Sequence, residues 1–178
     1  MDLHLKNHTA KTQTQVPNMP NHNDLRVYFF KPGTDWLSKI VSFAGWLTGR
    51  NPTYTHIAIG HPDLDLLFHF TLDGGETVAL DDLYEWSPDC IIVSIPMPDA
   101  VDACTLAHTL TALQYTQGTT ILGLLELLFK RKRGNHHRLI CTDLPNLARG
   151  MLPWDYAATP DELYTLYTEL YGSQDGEK

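Results

Sequence analysis

Basic charge is in short supply: 13 lysines and arginines stand against 21 aspartates and glutamates, a formal net charge of -8. A surface that neutralises phosphates along a nucleic acid needs the opposite balance, so no nucleic-acid partner is expected. Cysteine is scarce as well. Cys90, Cys104 and Cys141 are odd in number and form no C-x-x-C pair, which argues against a disulfide framework and against a thiolate zinc site. Reduced thiols are the expectation. No apolar run approaches the ~18 residues that a spanning helix requires, and the first 25 residues lack the apolar centre of a secretory signal. These absences point to a cytoplasmic protein without a transmembrane segment.

What is present suffices for one core. A chain of 178 residues, 43% hydrophobic, closes one domain of ordinary size and not two. Residues 1–23, rich in Asn, Thr, Gln, His and Pro and without periodicity, read as a flexible polar arm. Residues 24–172 read as the single domain and 173–178 as a frayed tail. Within the domain, 26–30 (RVYFF), ending at Lys31-Pro32-Gly33, has the composition of a strand. Residues 35–48 space Trp36, Ile40, Phe43, Trp46 and Leu47 as a helix does. Two strand-like runs, 54–60 (YTHIAIG) and 66–72 (LLFHFTL), flank His61-Pro62-Asp63-Leu64-Asp65 as in a hairpin, and 90–95 (CIIVSI) reads as a further strand.

The second half turns helical. Val101, Cys104, Ala107, Leu110 and Leu113 mark one apolar stripe, residues 119–129 a second helical run, and residues 130–133 with 136–138 a basic loop. A short helix follows Cys141 toward Arg149. The last helix has Thr159 as N-cap, Pro160 at its first position and Glu162 to complete a capping box. Strands adjacent in sequence, mixed with helices in this way, predict an α+β fold around an antiparallel sheet.

The hairpin carries the first chemical signal. A loop centred between Pro62 and Asp63 would set His56 directly opposite His69, on one face of the hairpin, with Ile57 facing Phe68 on the other. Two imidazoles so placed let one ring fix the orientation and tautomer of the other. The second signal is Cys141, which follows the apolar pair Leu139-Ile140 and precedes a helix with Asp143 in its first turn. Backbone N–H groups and the helix dipole at such a position lower a thiol pKa and bind an oxyanion. The plain alternative for Cys141, as for Cys90 and Cys104, is a small buried hydrophobe. His56, His61, His69, His136, His137 and Cys141 show no recognised ligand spacing, so neither a metal nor another cofactor is expected.

The run from Trp36-Leu37-Ser38 to Tyr54-Thr55-His56-Ile57-Ala58-Ile59, then Cys141-Thr142-Asp143-Leu144, then Thr159-Pro160-Asp161-Glu162-Leu163, resembles the circularly permuted NlpC-type papain-like cysteine hydrolases. This group includes YiiX-like amidases and, more distantly, the lecithin retinol acyltransferases. Its order along the chain is histidine, polar residue, cysteine, as here. The resemblance implies a permuted papain-like domain, an antiparallel sheet with helices packed on it. It implies Cys141 as nucleophile, His56 as general base and His69 as the residue that orients His56. Tyr54, two residues before His56, is expected on the same face with its hydroxyl toward an oxyanion. Thr142-Asp143 replaces the usual Ser-Glu, and Pro145 stands where relatives continue a helix, so that helix must begin near Thr142 or kink. The implied substrate is an amide or ester in a peptide, a cell-wall peptide or an acyl lipid, with a phage-encoded role compatible with the peptide. The alternatives are a lipid acyltransferase or thioesterase, and a catalytically silent binding or virion-associated module of the same fold.

Overall fold

The computed structural model describes residues 24–33, 36–47, 49, 51–71, 74–82, 89–98, 101–114, 139–152, 154 and 158–172. The expected polar arm at 1–23, the helical run at 119–129, the basic stretch at 130–138 and the tail at 173–178 lie outside them.

Five strands form one antiparallel sheet: β1 (Asp24–Phe30), β2 (His56–Gly60), β3 (Leu66–Phe70), β4 (Gly75–Ala79) and β5 (Ile91–Pro96), in the order β4-β3-β2-β1-β5. The helices are α1 (Trp36–Leu47), α2 (Ala103–Gln114), α3 (Leu144–Ala148) and α4 (Pro160–Tyr171), with a 3-10 turn at Cys141–Asp143 before α3. The expected α+β class with an antiparallel sheet is what is observed. Among the described residues no helix is long and apolar enough to cross a membrane.

Strand periodicity divides the sheet into two faces. Leu25, Val27 and Phe29 of β1, Ile57 and Ile59 of β2, Phe68 and Phe70 of β3, and Val93 and Ile95 of β5 share one buried cluster with Leu106 of α2, Leu144 and Ala148 of α3, and Leu163 and Tyr167 of α4. Burying each such large side chain contributes roughly 1.5–3 kcal/mol, so this face holds the domain together. The opposite face carries a smaller cluster of Tyr28, Phe30, Ala58 and Leu67. Gly60 lies on it because a Cβ there would come within 2.7 Å of Leu67 Cδ2.

Three expectations are corrected and one is met. The β2–β3 strand register is centred one residue later than its composition suggests: Ile59 pairs with Phe68, not Ile57. The turn itself, closed by Leu64 N–H donating to His61 C=O, keeps Pro62 and Asp63 as its central residues, where proline's fixed φ suits the second position. Cys104 is exposed rather than part of the α2 stripe, which runs through Leu106, Leu110 and Leu113. Phe43 of α1 is likewise exposed. Finally, α3 begins after Asp143, which places Pro145 in its first turn. An amide hydrogen is not required there, so the proline is accommodated as expected of a helix that begins near Thr142.

Candidate active site

β2 is held in place at its start from three sides. Asp161, in the first turn of α4, accepts hydrogen bonds from Thr53 N–H through both carboxylate oxygens at 3.1 Å and from Tyr54 N–H at 3.0 Å. Thr55 N–H donates to Phe30 C=O of β1 at 2.9 Å. The Thr55 hydroxyl lies 3.4 Å from that of Ser38 in α1. Charge-assisted bonds to backbone amides are among the stronger protein hydrogen bonds, so the backbone leading into His56 has little freedom.

His56 pairs with Phe30 across β1 and β2, and His69 pairs with Ala58 across β2 and β3. Moving the centre of the hairpin by one residue shifts every partner by two. The side-chain period is also two, so both histidines keep the face they were expected to share. The direct pair becomes a diagonal one, still within reach of long side chains. Nε2 of His56 and Nδ1 of His69 lie 3.1 Å apart, with the rings edge to face. Burial pushes the His69 pKa below that of an ordinary imidazole, against the opposing pull of Glu76. His69 is therefore neutral near neutral pH and can accept at one ring nitrogen while donating at the other.

Cys141 opens the 3-10 turn that packs on β2, near enough to the backbone N–H of Ile57, the residue after His56, for that amide to lower the thiol pKa. Pairing of β2 with β3 begins only at Ala58; Cys141 packs against the cluster that holds Ile57 and Ile59, whereas the His56 ring lies against Phe30 of the opposite cluster. The expected acidification of the thiol is reversed. Its pKa is pushed up to about 11, first by burial and then by the nearby Asp143 carboxylate, with the N–H groups of Ile57 and Thr142 only partly offsetting this. The helix start does not offset the burial. A 3-10 turn and five residues of α3 build little dipole, and Asp143 already occupies the site, accepting from Ile140 N–H at 2.9 Å.

Tyr54 does not share a face with His56. Regular strand begins only at His56, and the Tyr54 ring turns into the main core, 5.6 Å from Phe29 and 4.7 Å from Tyr164 between centroids. Among the described residues no group of three or more His, Cys, Asp or Glu is arranged to hold a metal ion.

Two residues of this region had gone unread in the sequence. Asp161 stands in the helix start that was recognised, yet its bonds reach back across 108 residues, which no local pattern encodes. Glu76 lies on β4, a strand not expected at all, although Gly74-Gly75 ahead of Glu76-Thr77-Val78 is a turn-and-strand signal. Comparison with family models, with curated proteins and with solved structures found no match to this chain.

Proposed function

We propose that the chain is a cysteine hydrolase of permuted papain-like, NlpC-type architecture, acting on an amide or ester bond through Cys141, His56 and His69. The observation that carries this reading is the nearness of Cys141 to the β2 backbone at Ile57, the residue that follows in sequence a histidine whose Nε2 is engaged by a second histidine. Two further features agree with it: the chain order of histidine, histidine and cysteine, and the cysteine-bearing turn packed against an antiparallel sheet.

With Nε2 of His56 engaged by His69, Nδ1 takes the thiol proton while sulfur attacks the carbonyl carbon, whose π electrons move to oxygen. Collapse of the tetrahedral adduct breaks the C–N or C–O bond, and the proton on His56 passes to the leaving group. Water then gives a proton to His56 and its oxygen attacks the thioester. The S–C bond breaks and sulfur regains the proton. A thiol whose pKa is pushed up to about 11 is almost wholly protonated near neutral pH. The nucleophile is thus made during attack, not stored as a thiolate, and substrate must help to release the proton.

Burial as the main cause of the raised thiol pKa favours a second reading, acyl transfer from a lipid donor to an acceptor other than water. A peptide or cell-wall peptide suits hydrolysis, an acyl lipid suits transfer, and both begin with a thioester at Cys141. Incubation with p-nitrophenyl acetate, followed by intact mass and peptide mapping, tests that step. An acetyl group on Cys141 that vanishes in Cys141→Ala and slows in His56→Ala is expected. No acyl adduct at Cys141 under any condition would leave a catalytically silent binding module as the better reading.

A further inference from the structure

Glu76 of β4 stands directly opposite His69 of β3, and its Oε2 lies 3.8 Å from His69 Nε2. The other nitrogen of that ring, Nδ1, is the one 3.1 Å from His56 Nε2. One carboxylate and two imidazoles therefore run in line across three neighbouring strands. Each group leaves the next a restricted choice. An ionised carboxylate only accepts hydrogen bonds, so it favours the His69 tautomer with the proton on Nε2. A neutral ring protonated there is an acceptor at Nδ1, and that acceptor selects a proton on Nε2 of His56. Nδ1 of His56 is then the basic nitrogen.

We propose that Glu76 is a positioning residue that sets the tautomers of His69 and His56 and so leaves Nδ1 of His56 as the proton acceptor. The inference rests on the reading of His56 as general base, but it concerns the resting protein. The 3.8 Å separation exceeds a hydrogen bond, and the exposed Glu76 side chain has to move by only about 1 Å to make one. Its side chain is 57% exposed, so the contact adds little to stability. Variants at this edge-strand position should fold.

The test is 15N NMR of the full chain, labelled at histidine, at about pH 8 where ordinary imidazoles are neutral. In the unaltered protein His69 should carry its proton on Nε2, as should His56. Glu76→Leu should turn each single tautomer into a mixture. Glu76→Lys, which offers only donors, should invert both, placing the protons on Nδ1. Cys141→Ser should leave the pattern as it was. A His69 protonated on Nδ1 in the unaltered protein, or tautomers indifferent to both Glu76 variants, would overturn the inference. Tautomers that follow Glu76 in a protein whose Cys141 never acylates would sink the hydrolase reading alone. Normal acylation with tautomers independent of Glu76 would sink only this one.

Discussion

Cys141 should be slow to react with iodoacetamide at neutral pH and should become reactive only as the solution turns strongly alkaline. With its pKa near 11, about one thiol in three thousand is ionised at about pH 7.5, against about one in ten for an ordinary thiol of ~8.5. That is a deficit of roughly 300-fold. A thiolate of higher pKa is also the better nucleophile, and a Brønsted slope of about 0.4–0.5 over the difference returns a factor of roughly 10–20. The net expectation is labelling about 20-fold slower than in the same chain unfolded in urea, before any shielding by neighbours. The rate should climb about tenfold per pH unit up to about pH 10. Peptide mapping of timed alkylations, native against unfolded, gives the ratio. Labelling of native Cys141 that persists at about pH 6 and outpaces the unfolded control would refute the argument, because it would mean a thiolate stored by an ion pair with His56.

The same thiol links pH to stability. A folded-state pKa raised from 9 to about 11 gives a contribution that is whole below about pH 9 and lost as pH rises to about 11, on the order of 3 kcal/mol. Urea titrations at the two pH values should show a smaller alkaline loss in Cys141→Ala than in the unaltered chain, while Tyr167, raised by burial in the same direction, titrates in both. His56→Ala should lower Cys141 acylation by about 100-fold or more, whereas His69→Gln, which keeps a hydrogen-bonding group beside the base, should lose much less; equal losses in a single-turnover assay would show the two roles to be misassigned. Asp161→Ala should destabilise the fold by about 1–3 kcal/mol, with Asp161→Asn milder because its amide oxygen still accepts, and identical denaturation midpoints for both variants and the unaltered chain would contradict the clamp on β2.

Most of the sheet could be read from residue order because its strands are short β-branched and aromatic runs bounded by turn residues. Thr159, Pro160 and Glu162 marked the start of α4 without ambiguity, and the observed cap bonds are the ones their chemistry dictates. The histidine pair survived an error in register only because hairpin geometry moves partners in steps of two. β4 was harder to see: it lies at a sheet edge, and Gly75, Glu76 and Thr77 show no apolar alternation, only Val78 being buried. The thiol was misjudged for another reason. A nearby helix start is visible in sequence, but desolvation comes from everything that packs around the sulfur, and that depends on the finished tertiary structure.

The bonds from Asp161 to the backbone before His56 also impose a schedule. A ribosome adding about 5–20 residues per second needs roughly 5–20 s to cover the 108 residues between Thr53 and Asp161. The β2–β3 hairpin is local and can close within microseconds of its emergence, so both histidines are available long before their anchor. A nascent chain therefore carries an imidazole pair with neither Cys141 nor the clamp in place, and the proposed site is complete only when α4 has docked.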